Sequence, residues 1–312
     1  MFVASSLASG LRSFATAISV LCLLFLLACA LPNSPTTTSG DLQFTDEDGR
    51  TITVPAKIER FISLAPNLTE IAYAVGAGDR LVGNTTFCDY PEDAKKVQKV
   101  GDTLQPSIER ILALRPQLVL VSTASQLEIF TKQLDEHRIA VYVTDPRDLE
   151  GVFRSIENLG KLLNQEQRAE ETVSQLRKRA SAISERVSSD KPVKVFYQLS
   201  AEPLYTAGRD SFVTDLIRRA GGLSVTVDVP EAWPRFSQEA AVASRPEAIV
   251  LPTDGSMGSA NSEVAEGLKR SPAALSGKVY KINGDFLSRP GPRAVDGLEA
   301  LARALHPAAF TR

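Results

Sequence analysis

The residues able to make or break bonds are few and widely spaced. His137 and His306 are the only histidines, so a metal site of several imidazoles is excluded. A Ser-His-Asp arrangement would have to recruit one of the two. His137 falls between a helical and a strand-like stretch, and His306 lies near the C-terminus. No Gly-x-Ser-x-Gly elbow occurs, because Asp254-Gly255-Ser256-Met257-Gly258 only looks similar and reads as a loop. Gly76-Ala77-Gly78 follows a helical stretch and reads as a helix stop, not a dinucleotide loop. No paired nucleophile and base emerges, so the chain is read as a non-enzyme that needs no cofactor or metal. An extracytoplasmic hydrolase using His137 is the competing class, and turnover abolished by changing His137 would support it.

What remains is the chemistry of contact. Cys88-Asp89-Tyr90-Pro91, Leu204-Tyr205-Thr206-Ala207-Gly208, Trp233-Pro234-Arg235-Phe236 and Asp285 to Arg289 all read as loops that follow strands. In α/β sheets such loops line the ligand crevice. A loop tyrosine or tryptophan can equally cover the edge of a core. Taken together, these segments supply flat apolar faces and a few charged groups, a lining suited to a large planar ligand.

The elements that would position them alternate in type. Asp48-Gly49 between alternating segments marks a hairpin. Arg60-Phe61-Ile62-Ser63-Leu64, Leu118-Val119-Leu120-Val121 and Ala140-Val141-Tyr142-Val143 read as strands separated by helical stretches. Pro66-Asn67 opens a helix in which Asn67 and Glu70 have the spacing of a capping box. The second half repeats the pattern, with strands at Val195 to Leu199 and Ala248 to Leu251 and a helix from Asp210 to Ala220. One match is close to literal. Ser107, Glu109, Ala113, Arg115 and Pro116 precede the strand at Leu118, and Ser237, Glu239, Ala243, Arg245 and Pro246 precede the strand at Ala248 with the same offsets. This pattern predicts two α/β lobes of parallel βαβ units, one a duplicate of the other. Between them, residues 149–190 are almost free of proline and read as helical, with a break at Leu162-Leu163-Asn164 and a long helix from Gln165 to Val187. A stiff helical connection should restrain how far the lobes move.

The expected division is a signal segment at 1–28, an anchor and tether at 29–41, a first lobe at 42–148, the linking segment at 149–190 and a second lobe at 191–312. The apolar run Val20 to Ala28 is too short for a spanning helix but suits a signal peptide. Leu26-Leu27-Ala28-Cys29 resembles a bacterial lipobox, which would make Cys29 the lipidated residue of a protein held at the cell envelope or periplasm. The Pro- and Thr-rich stretch that follows reads as a flexible tether. With 37 acidic and 35 basic residues and no block of like charge, nothing supports a nucleic-acid partner. Of Cys22, Cys29 and Cys88 only the last falls in the body, so an exported form would have no internal disulfide; it is expected to be a monomer.

The stretches Ser63 to Glu70, Cys88 to Pro91, Trp233-Pro234 through Glu239, and Gly284-Asp285 through Arg293 resemble the cobalamin-binding branch of the solute-binding proteins of ABC importers. In that class one backbone helix joins the lobes, and the resemblance covers residues 42–308. It implies that Tyr90, Tyr205 and Trp233 face a corrin ring and that Pro66 and Asn67 form the first-lobe wall. Asp285 and Arg289 would bond peripheral amides. It also implies that Glu70 and Glu239, on the outer rims of the two lobes, pair with arginines of a permease dimer. Leu104 stands where some relatives have tryptophan, which removes one aromatic wall. Within the same class the alternatives are haem, which Tyr90 could ligate, and a ferric siderophore.

Overall fold

A computed structural model describes residues 40–122, 127–253 and 263–311. The expected signal segment, Cys29, most of the tether and the Asp254 to Gly258 loop lie outside the described residues.

The body opens on a hairpin of β1 (Asp41–Thr45) and β2 (Thr51–Pro55). Its turn is closed by the Asp46 carboxylate, which accepts from the Asp48 and Arg50 amides at 3.2 and 2.8 Å. Gly49 supplies the left-handed residue the turn needs, at φ 80°.

The first lobe then runs through β3 (Phe61–Ser63), α1 (Pro66–Ala74), β4 (Leu81–Asn84), α2 (Ile108–Ala113), β5 (Leu118–Ser122), α3 (Leu127–Glu136) and β6 (Ala140–Thr144). Its four strands pair in parallel in the order β4-β3-β5-β6. Helices α4 (Leu149–Leu162) and α5 (Glu166–Val187) make the connection, reversing at Asn164, which takes φ 53°. The second lobe continues with β7 (Val193–Tyr197), β8 (Ser200–Ala201), β9 (Leu204–Tyr205), α6 (Phe212–Arg219), β10 (Gly222–Ser224), α7 (Gln238–Ala243), β11 (Ala248–Thr253), α8 (Pro272–Leu275), β12 (Val279–Asn283), α9 (Gly284–Ser288) and α10 (Ala294–Leu305). Its main sheet is also parallel, in the order β10-β7-β11-β12.

The two orders correspond strand for strand. Phe61 lies opposite Leu118 in the first sheet, and Val195 lies opposite Ala248 in the second. The repeated segment has one local structure in both lobes. Ser107 caps α2 by accepting from the Arg110 amide at 3.3 Å, and Ser237 caps α7 by accepting from Ala240 at 3.0 Å. After each helix an arginine turns left-handed, Arg115 at φ 47° and Arg245 at φ 49°. Each is followed by a proline that stops the helix and feeds the central strand. Those strands, Leu118 to Val121 and Ala248 to Leu251, are buried throughout, as strands covered on both faces must be.

The connecting helices do more than span the gap. Leu159 of α4 and Val173, Leu176 and Ile183 of α5 belong to one apolar core that includes Leu68 and Leu120 of the first lobe and Leu216 and Leu298 of the second. A polar tie reinforces it: Asp215 on α6 accepts from the Leu149 amide at the start of α4 at 3.1 Å and from Arg219 Nε at 2.7 Å. Burial pushes the Asp215 carboxyl up, but the Leu149 amide and the two guanidiniums of Arg219 and Arg218 outweigh it and hold it below the usual carboxylate range. A carboxyl so lowered adds stability at neutral pH that is lost as the pH falls through its folded value. Asp215→Asn is therefore expected to cost about 1–3 kcal/mol in urea unfolding at pH 7. The difference from the parent should shrink once the pH drops below the ordinary aspartate value of 3.8. A difference that stays constant to lower pH would show that the charge is not responsible.

Three local expectations are corrected. Ala65, not Asn67, is the N-cap of α1, with Pro66 at the first helical positions and no side-chain cap bond. Proline fits there because its missing N–H has no intrahelical partner to lose. Leu204-Tyr205 is a short strand paired with β8 rather than a loop, and Tyr205 also bridges to Arg235. Asp285 to Ser288 is a helical turn, capped by the Asn283 side chain accepting from the Asp285 amide.

Candidate functional site

The C-terminal ends of the strands of both sheets face a shared cavity of about 500 Å³. The first lobe contributes Ala65, Pro66 and Asn67 where β3 runs into α1, Phe87 after β4, Leu104, Ser122 at the end of β5, and Asp145-Pro146-Arg147 after β6. The second contributes Asp210, Ser211 and Phe212 at the start of α6, Trp233, and Ser288, Arg289 and Pro290 after α9. This is where open parallel sheets bind ligands, because loops fan out from the strand ends and leave a crevice.

Of the seven residues expected to hold ligand, Pro66, Asn67, Trp233 and Arg289 line the cavity. Trp233 stands at its mouth, 40% exposed, with its ring 6.4 Å from that of buried Tyr197. Leu104, on the first lobe, is 67% exposed. Large apolar side chains exposed together at a cleft mark a surface suited to binding. Tyr90, Tyr205 and Asp285 do not line the cavity. The Tyr90 ring is covered on one face by the Arg293 guanidinium, 4.1 Å from its centre. Tyr205 is held in its strand pair. Asp285 lies behind Arg289, with Oδ1 3.0 Å from Nη2.

Lining positions that were not expected include Phe87, Asp145, Arg147 and Phe212. Each follows or begins an element recognisable in sequence, so the end-of-strand rule applied to every strand would have reached the first three. Phe212 carried no signal, since its apolar ring is equally at home in a helix core.

The wall is electrically balanced. Among the described lining side chains the cations are Arg147 and Arg289 and the anions are Asp145 and Asp210. Arg147 pairs with Asp145 at 2.9 Å. Arg289 is only 4% exposed and reaches Asp89 at 2.7 Å, Asp285 at 3.0 Å and Glu70 at 3.2 Å. Burial pushes the Asp89 carboxyl up, but the Arg289 guanidinium bonded to it brings it below its ordinary range. No histidine, tyrosine, cysteine or methionine lines the cleft among the described residues. His306 is engaged elsewhere, with Nε2 3.0 Å from the Gly221 carbonyl, and His137 is exposed in the turn after α3.

Glu70 does not occupy the outer rim. Its side chain is 1% exposed, and Arg293 clamps it through Nε at 2.9 Å and Nη2 at 2.5 Å. Glu239, by contrast, is exposed in the first turn of α7. The internal repeat identifies its first-lobe counterpart as Glu109, exposed in the first turn of α2.

Two parallel α/β lobes on a shared helical core, with a ligand-sized cleft between them, are the architecture of a solute-binding protein. The comparisons agree. Residues 62–283 match the family model described as periplasmic binding protein, and the chain belongs to that family, whose members serve ABC importers as substrate-binding proteins and are not enzymes. It is 34% identical over 272 residues, covering 85% of both chains, to an uncharacterized ABC transporter substrate-binding lipoprotein, YvrC, of Bacillus subtilis (strain 168). It is similar to the crystal structure of the periplasmic vitamin B12 binding protein BtuF of Vibrio cholerae, with a TM-score of 0.71 and 28% identity over 82% of this chain and 99% of that one. A periplasmic heme binding protein from Pseudomonas aeruginosa superposes with a TM-score of 0.72 and 27% identity over 80% of this chain and 94% of that one.

Proposed function

We propose that this extracytoplasmic binding protein captures cobalamin or a related corrinoid in its interlobe cleft and delivers it to the permease dimer of an ABC importer. The observation that carries the reading is the chemistry of the wall. It offers apolar faces from Trp233, Phe87, Leu104 and Phe212, a balanced set of charges, and, among the described lining residues, none of the histidine, tyrosine, cysteine or methionine side chains that hold haem iron. A corrinoid brings cobalt already held in its own macrocycle and presents neutral amides. Haem exposes an iron that needs a protein ligand and carries carboxylates that call for unpaired cations, as an anionic siderophore also would. The likeness to BtuF supports the corrinoid, and the likeness to a heme binder names the strongest rival.

The remaining parts of the proposal are a lipid anchor at Cys29 and docking through exposed carboxylates. The lipobox-like run before Cys29 and the name of the Bacillus subtilis relative support the anchor. For docking, the exposed pair is Glu109 and Glu239, one on the capped helix of each lobe, and Glu70 has no part in it.

The direct test is calorimetric and absorbance titration with cyanocobalamin, haemin and a ferric hydroxamate. Saturable one-to-one binding of cyanocobalamin is expected, with haemin much weaker. Trp233→Ala should weaken it about tenfold or more, as loss of a large aromatic contact does. A haemin spectrum shifted as for tyrosinate-bound iron, without cobalamin binding, would overturn the corrinoid and leave the transport class standing.

A further inference from the structure

Two arginines and three carboxylates meet at the closed end of the cleft, and they come from different lobes. Glu70 on α1 and Asp89 in the loop after β4 belong to the first. Asp285 on α9, Arg289 just beyond it and Arg293 at the start of α10 belong to the second. Glu70 Oε1 accepts from both arginines, Oε2 accepts from Arg293 Nε, and its partners lie 219 and 223 residues away in sequence. The backbones also approach here. A Cβ on Gly291 would sit 3.4 Å from the Asn67 carbonyl oxygen, and the Asn67 amide group donates to the Pro290 carbonyl at 3.4 Å.

The bridge is made by side chains alone, so it supplies no backbone pairing to either sheet and no apolar contact to the shared core. The carboxylate and the guanidinium that lines the cavity are nevertheless almost fully dry, and a buried charge is costly unless it is paired and well bonded. Asp285 of the same lobe lies beside both arginines, at 3.0 and 3.6 Å, but the first-lobe carboxylates reach them only while the lobes stand at one spacing. Opening the cleft would strip Glu70 from both of them together.

We infer that Glu70 is a cross-lobe positioning residue: it holds Arg289 against the cavity and fixes the aperture of the cleft before any ligand arrives. Such preorganisation spares a ligand the cost of ordering its site. It also makes the bridge the contact that must part for the lobes to separate. The link to ligand rests on the binding-protein reading given above; the aperture itself can be measured with no ligand present.

The experiment is pulsed dipolar spectroscopy between spin labels introduced by Lys96→Cys in the first lobe and Lys269→Cys in the second, in a Cys22→Ser, Cys29→Ser background. Both lysines are exposed, and Cys88 is buried and out of reach of the label. The parent should give one narrow distance distribution. Glu70→Gln and Arg293→Met should each broaden and displace it while far-ultraviolet dichroism is unchanged, and the double variant should add little to either, the mark of a coupled pair. Unaltered distributions in both folded single variants would overturn the inference, as would additive effects in the double. Failure of both single variants to fold would overturn it too, because the pair would then be required by the fold and not by the aperture. Cyanocobalamin added afterwards tests the ligand separately, so a protein that ignores cobalamin can still show the bridge.

Discussion

Reversing both Glu109 and Glu239 to arginine is expected to reduce importer-dependent uptake about 100-fold or more, while ligand affinity of the purified protein stays within about twofold. Both carboxylates are exposed and neither lines the cavity, so the cleft should not register the change. Each sits in the first turn of a short helix capped by serine, a rigid mount that fixes where the charge points. On the docking proposed above, an arginine in the same place would set like charge against like, and such juxtapositions cost several kcal/mol. Uptake of labelled cyanocobalamin in cells carrying each single variant and the pair is the measurement. The effect should be partial for either alone. Unchanged uptake by the double variant would remove both residues from docking.

The second large effect is expected inside the fold. Arg289→Leu should cost about 3–5 kcal/mol in urea unfolding, the range for breaking a buried ion pair from one side. The substitution takes one guanidinium from Glu70 and Asp285, which keep Arg293, and removes the arginine bonded to Asp89. There is a pH signature. Asp89 is held below its ordinary range, burial being outweighed by Arg289, so it adds stability above the unfolded value that is lost as the pH falls through the folded one. Without Arg289 the strongest lowering influence on Asp89 is gone, so this acid-labile contribution disappears and the difference from the parent should shrink as the pH falls below the ordinary aspartate value of 3.8. A loss below about 1 kcal/mol would mean that the cluster behaves like a solvated surface pair.

Whatever depended on local pattern could be read from the sequence. The strands Leu118 to Val121 and Ala248 to Leu251 announce themselves as buried apolar runs, and the repeated Ser-x-Glu helix carries its own cap. Asn164 marks the turn between the linking helices. The failures share one cause, a partner far along the chain. Asn67 and Glu70 have the spacing of a capping box, yet Asn67 turns to Pro290 and Glu70 to Arg293, contacts that no window of sequence contains. Tyr90 has the right loop, but the guanidinium of Arg293 takes its ring face. The exposed first-lobe carboxylate proposed for docking was within reach: the offsets that align Ser107 with Ser237 also align Glu109 with Glu239, so the repeat alone could have put it forward beside Glu70.

The correspondence of the two sheets and their capped helices also bears on how cargo is presented. On the proposed docking, a two-fold partner meets nearly the same charged helix on either half, and these two handles alone do not tell it left from right. The binder would then seat in either of two poses that exchange the lobes, with a lopsided ligand facing the pore one way in half of the encounters and the opposite way in the rest. A pore fed in this manner must tolerate both, and would therefore select its cargo by girth and polarity more than by handed contacts.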